Sequence, residues 1–167
     1  MRLLKVNKPS QISAVFFATL MLTACAGQPP TDLGVITQAG SNADTSSFSL
    51  RACPDSPNCI QTYDAVDQDH FKTPLKPKAN IQQTTQALKA AIKDSGGEII
   101  SEKTLSPAGY YLHAEYESKW IRFVDDVEIL VQTSGVQIRS ASRIGRSDFG
   151  VNGERFDVIK DIYQAVP

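Results

Sequence analysis

Three stretches in the second half of the chain change polarity at every other residue, a period that confines them to half-buried β-strands. Over Tyr110–Glu117, residues Tyr110, Leu112, Ala114 and Tyr116 fall on one face, and Tyr111, His113, Glu115 and Glu117 on the other. Asp126–Gln132 repeats the pattern with Val127, Ile129 and Val131 inward. Thr133-Ser134-Gly135 supplies a turn, and Val136, Ile138 and Ser140 continue with Gln137 and Arg139 outward. Strands joined by so few residues run antiparallel. Glu98–Thr104 is a fourth candidate. His113, Glu115, Glu117, Glu128 and Arg139 then share a polar face, and the expectation there is cross-strand charge pairing on a solvated surface.

Helical periods flank these strands. Asn80 and Gln83 have the spacing of a capped helix start, Ile81, Leu88, Ala91 and Ile92 form an apolar stripe, and Gly96-Gly97 ends it. A last helix over about Glu154–Ala165 carries Phe156, Ile159, Ile162 and Val166 as its stripe. Residues 63–79, with Asp64, Asp67, Asp69, Pro74 and Pro77, have no helical period and are expected as an extended strap, with His70 as a surface hydrogen-bonding group. The pattern predicts an α+β two-layer sandwich: a four-stranded antiparallel sheet with an N-terminal and a C-terminal helix on one face.

The leader constrains location. Arg2, Lys5 and Lys8 precede an apolar run from Ile12 to Leu22, and Leu22-Thr23-Ala24-Cys25 follows. The run is short for a bilayer span and has the layout of a secretory signal. It resembles the bacterial lipobox, which implies cleavage after residue 24, acyl chains on Cys25 and attachment to membrane lipid. By resemblance to lipoprotein sorting, Ala26 after that cysteine implies the periplasmic face of the outer membrane. Losing the three leader cations lowers Lys+Arg from 17 to 14 against 18 Asp+Glu, a formal −4. So acidic a balance lacks the clustered basic charge that nucleic acid requires. From 25 to 48 the chain is rich in Gly, Pro, Ser, Asn and Asp, the composition of a flexible tether, and residues 49–167 form one domain of about 120 residues.

With Cys25 acylated, Cys53 and Cys59 remain as an even pair outside the reducing cytosol. Between them Pro54-Asp55-Ser56-Pro57-Asn58 favours a tight turn, so a structural disulfide is expected. A metal pair has no supporting histidine cluster, and a redox couple normally has Cys-x-x-Cys spacing.

The remaining unusual segment is Arg139–Arg155, where arginines, serines, Asp148 and glycines crowd between a strand and a helix start. Together with Cys53-Pro-x-Ser-Pro-Asn-Cys59 and Phe123-Val-Asp-Asp-Val-Glu128, it resembles the domain of unknown function numbered 1499, found in bacteria and plant plastids. The resemblance covers roughly residues 50–165. It implies a single compact domain and marks Ser118, Asp125, Asp126, Arg139, Ser140, Ser142, Arg143, Gly145, Ser147, Asp148, Gly150 and Asn152 as family positions, while Arg146 and Gly153 depart from the pattern. It implies no reaction.

Three accounts of this cluster follow from its chemistry. Asp125 can be buried and paired with Arg139 or Arg143, with Asp148 and Asn152 capping turns and the last helix. Alternatively, Arg143, Arg146 and the N–H groups near Asn152 can receive an anionic ligand or the acidic patch of an envelope protein. The third account is a hydrolase or transferase acting on an envelope component, with Asp125 or Asp126 as base, Arg139 or Arg143 as oxyanion donor and Ser142 or Ser147 as nucleophile. The most economical expectation is a non-catalytic binding module. No cofactor is expected, and a calcium or magnesium site on Asp125, Asp126 and Glu128 has no dedicated loop to shape it.

Overall fold

The computed structural model describes residues 34–38, 47–105 and 109–167. The expected leader 1–24, the expected acylation site Cys25 and much of the segment 25–48 lie outside the described residues. In chain order the elements are β1 (Val35–Gln38), β2 (Ser47–Leu50), β3 (Cys59–Gln61), α1 (Ile81–Asp94), β4 (Glu98–Leu105), β5 (Gly109–Glu117), β6 (Val124–Gln132), β7 (Gly135–Ser142) and α2 (Val151–Ala165). The alternating segments form the expected α+β arrangement, with β4, β5, β6 and β7 as an antiparallel meander.

Two differences from expectation concern strands that carry too few residues to show a period. The sheet has five strands, in the order β3-β7-β6-β5-β4, rather than four. The fifth is β3, three residues long and paired with β7 through Cys59 opposite Ala141. Within and beside the stretch whose composition indicated a tether, β1 and β2 pair as a separate ladder with Val35 opposite Leu50. Backbone pairing needs no apolar composition, and Leu50 provides a fully buried side chain there.

Both helices pack on one face. Leu88, Ala91 and Ile92 of α1 and Phe156, Ile159 and Tyr163 of α2 meet Leu112, Ala114, Val127, Ile129, Val131 and Ile138 of the sheet in the main core. Asn80 caps α1 by accepting the Gln83 N–H at 2.8 Å, as its spacing indicates. After α1, Gly97 lies so close to β5 that a Cβ would sit 2.5 Å from Cζ of Tyr116, so only glycine fits without moving the ring. α2 begins at Val151, three residues before the expected start, and adds buried Tyr163 to the expected stripe, of which Ile162 and Val166 pack partly buried against the core.

The opposite face of the sheet is not the solvated surface its polarity indicated. Leu50, Leu105, Tyr111 and Leu130 form a second cluster there with Phe48 and Tyr63 packed against it, and His113, Asp126, Glu128 and Arg139 are buried. The outer edge of β3 is taken by the strap, where Gln61 donates to the His70 carbonyl at 2.9 Å and accepts from the Lys72 N–H at 2.8 Å. His70 plays its expected role: Nδ1 meets Asp67 at 2.8 Å and Nε2 meets the Ser56 carbonyl at 3.1 Å. Burial opposes its protonation, yet these acceptors raise its pKa.

Cys53 and Cys59 form the expected disulfide, with Cα atoms 5.8 Å apart. The loop it closes presents Asn58, whose Nδ2 donates to the Gly145 carbonyl at 2.7 Å and so ties this turn to the β7–α2 loop. Replacing both cysteines by serine is expected to cost about 2 kcal/mol and lower Tm by roughly 5–10 °C. Thermal melts of the variant and of the reduced wild type check this and should coincide.

Candidate functional site

The polar residues of the family motif divide between the two sides of the sheet, as period two requires. On the side away from the helices, the register sets Glu115 opposite Asp126, His113 opposite Glu128, and Glu128 opposite Arg139. Arg143, just past β7, reaches back over them. Its Nε donates to Asp126 Oδ2 at 2.8 Å and its Nη2 to Asp126 Oδ1 at 2.7 Å, and the same Nη2 pairs with Glu115. His113 Nε2 completes the shell of Asp126 at 2.7 Å. Alongside, Glu128 accepts from Arg139 Nη1 at 3.1 Å, Tyr111 Oη at 2.8 Å and the Gly34 N–H at 2.6 Å. Burial works against the Asp126 charge, but the Arg143 and His113 hydrogen bonds outweigh it and hold the carboxyl below its usual range. Burial beside Glu128 pushes the Tyr111 hydroxyl pKa up.

His113, Glu115 and Asp126 bring one ligand atom each to within 4.8 Å of one another, the spacing of a metal site. The Arg143 guanidinium bonds both carboxylates, so the cation this group calls for is already part of the chain.

Under α2 lies a second network. Asp125 has the inward orientation of Val127 and Ile129, but its partner is Arg155 of α2, with Nη2 to Oδ2 at 2.6 Å, rather than the expected Arg139 or Arg143. Those two arginines sit on the opposite face and cannot reach it. Arg155 also stacks on Tyr116, 4.7 Å from the ring centroid, and donates to Asn152 Oδ1 at 2.5 Å. Asn152, fully buried, accepts from Ser140 Oγ at 2.6 Å and donates from Nδ2 to the Asn58 carbonyl at 3.0 Å, Ser142 Oγ at 3.0 Å and Asp148 Oδ2 at 2.8 Å. Asp148 accepts the N–H groups of Gly150 at 3.0 Å and Asn152 at 2.8 Å. Asp148, two residues before the N-cap Gly150, thus satisfies the start of α2 with its carboxylate, and the N–H groups near Asn152 that one account offered to an external anion are met by it. Burial opposes the charge of Asp148, yet these donors keep its pKa low. Asn152 is a linchpin rather than a cap, since the capping position itself is Gly150 in the left-handed conformation.

Above this network two loops enclose a cleft of about 230 Å³. The β5–β6 loop provides Ser118, Ile121 and Phe123, the β7–α2 loop Ile144, Gly145, Ser147, Asp148 and Phe149, and Asp125, Ser142 and Val151 complete the wall. Of the residues nominated from sequence, Ser118, Asp125, Ser142, Ser147 and Asp148 are brought together here with Asn152 beneath. Asp126, Arg139 and Arg143 are not, being across the sheet. Sequence reasoning missed Arg155, Asn58 and the apolar rim. The signal for Arg155 was available: an inward aspartate faces the helices, so its counter-ion had to come from one.

Both loops are held rigidly. Ser118 accepts the Phe123 N–H on Oγ at 2.9 Å and closes the turn through its own N–H to the Phe123 carbonyl at 2.8 Å. Arg122 and Phe149, with φ of 55° and 56°, are the only non-glycine residues with positive φ among the described residues, a strain that tends to collect at functional loops. None of the three cleft serines, Ser118, Ser142 and Ser147, has a histidine base: His113 lies with Asp126 on the other side of the sheet, and His70 lies in the strap with Asp67.

These features define a small α+β sandwich whose buried Asp/Arg networks brace a loop-lined cleft. The chain belongs to the family described as protein of unknown function (DUF1499), whose model matches residues 49–162. No curated protein and no solved structure matches the chain.

Proposed function

We propose that the chain is a lipid-anchored, non-catalytic binding module of the cell envelope, with the cleft between residues 118–123 and 143–150 as its binding face. One observation carries this: Asp125, Asp126, Asp148, Asn152 and Arg155 are consumed in intramolecular bonds, while apolar Ile121, Phe123, Ile144, Phe149 and Val151 are left to solvent around the cleft. An acyl- or phosphoryl-transfer site has the opposite economy, with a poised nucleophile and base and a satisfied apolar shell. The lipobox-like Leu22–Cys25 and the disulfide of an oxidising compartment support attachment outside the cytoplasm, on the periplasmic face of the outer membrane.

Native mass spectrometry of the full chain, extracted gently from membranes, tests the assignment. The expected result is a chain beginning at an acylated Cys25 that carries a stoichiometric companion, lost when Phe123 and Ile144 are both changed to serine. A bare domain that turns over an envelope fraction would establish the hydrolase or transferase alternative instead.

A further inference from the structure

Trp120 and Phe149 are each 94 % exposed, and Ile121, next to Trp120 in the β5–β6 loop, is also open to solvent. Single exposed apolar residues are ordinary, but here Ile121 and Phe149, from two loops distant in sequence, line one cleft, and exposed Trp120 adjoins Ile121 in the chain. The exposed charges within residues 118–123 and 143–150 are all basic. Lys119, Arg122 and Arg146 are exposed, in a chain of net charge −1. Arg122 meets Glu117 at 2.5 Å, a pair whose side chains are 68 % and 47 % exposed and which leaves the cation open to solvent and counter-ions. Asp148, the acid of the second loop, is turned inward onto backbone N–H groups.

We propose that this tip seats on an anionic bilayer surface, with Trp120, Ile121 and Phe149 entering the boundary between headgroups and acyl chains and Lys119, Arg122 and Arg146 meeting lipid phosphates; the proposal rests on the lipid-anchored assignment above. Amphipathic aromatic rings favour that boundary, and basic residues beside them are drawn to anionic leaflets. The strained, hydrogen-bonded loops are already ordered, so docking loses little conformational freedom.

Chain length permits it. The Gly34 N–H is fixed to Glu128, four residues along β6 from Val124 and therefore about 14 Å from the end of the strand at which the tip loop begins. Nine residue steps separate Gly34 from Cys25, at most about 30 Å of chain. An acyl group on Cys25 and the tip can thus meet one membrane plane.

Trp120 is the only tryptophan of the protein, so its fluorescence reports the tip alone. The test uses the chain recovered from membranes and reconstituted into phosphatidylethanolamine/phosphatidylglycerol vesicles, with phosphatidylcholine vesicles as the uncharged comparison. On the anionic vesicles Trp120 emission should shift to the blue and be quenched by lipids brominated near the headgroup. The docked-to-free ratio should fall about tenfold in Phe149→Ser and about fivefold for each of Lys119→Gln, Arg122→Gln and Arg146→Gln. All four positions are exposed, and unchanged circular-dichroism melts would show that these variants remain folded. Emission that stays at its water value on both vesicles, or that ignores these substitutions, overturns the proposal and leaves the cleft to a protein partner. The mass of the N-terminus in the same sample separates the two ideas. An unmodified Cys25 defeats the anchoring assignment while the emission still reads the tip, whereas an acylated chain with a wet Trp120 defeats only the docking.

Discussion

Arg143→Met is expected to destabilise the protein by about 3–5 kcal/mol, because it strips the bidentate partner from a carboxylate that is 1 % exposed. Asp126 would keep His113 but lose both guanidinium bonds, and Glu115 would lose its cation. The pH dependence gives the effect a signature. Asp126 has a folded pKa below its unfolded value, so its contribution is fully present above the ordinary carboxylate range and is lost as pH falls through the depressed folded value. Without Arg143 the depression disappears, burial dominates, and Asp126 takes up its proton at higher pH. Chemical denaturation from pH 3 to 7 should therefore show a lower plateau and a shallower acid decline than in wild type, because a carboxyl whose folded pKa is no longer depressed loses no stability on taking up its proton. An unchanged acid limb would mean that Arg143 does not set the charge of Asp126.

The second large effect is expected at Asn152. Replacing it with leucine keeps volume but removes bonds to Ser140, Ser142, Asp148, Arg155 and the Asn58 carbonyl. Several of those groups retain another partner: Arg155 keeps Asp125, and Asp148 keeps backbone N–H donors. The net cost should therefore be about 2–4 kcal/mol rather than a full penalty for every bond. Hydrogen exchange distinguishes this from a uniform loss. Amides of residues 143–150, whose loop is tied through Asn152 and Asn58, should lose protection before those of β5 and β6. Equal loss across the sheet would show that Asn152 serves the core and not the cleft.

How much of this was legible in the residues depends on segment length. β5, β6 and β7 are each at least eight residues long and alternate cleanly, so their faces, their antiparallel order and the inward placement of Asp125 follow from period two. β3, with three residues, is set by its pairing partner and not by any local preference. Burial of His113, Glu128 and Arg139 was illegible for a different reason. Polarity marks which residues share a face, whereas what covers that face comes from Phe48, Leu50 and Gly34, in a segment whose composition resembles a linker. At the cleft, the conspicuous Asp, Arg and Ser residues brace the loops. The residues that face outward, Trp120, Ile121 and Phe149, carry no motif and are recognisable only by their exposure.

The two borders of the five-stranded sheet carry a last consequence. One is sealed by residues 70–72 lying along β3, and the other, β4, breaks register between Ile99 and Ser101 and shows Glu98, Glu102 and Lys103 outward. Neighbouring molecules therefore find no smooth, neutral backbone ladder to extend, which is how sheet proteins escape stacking into fibrils. Edge-to-edge strand pairing between copies is thereby disfavoured however densely they are packed.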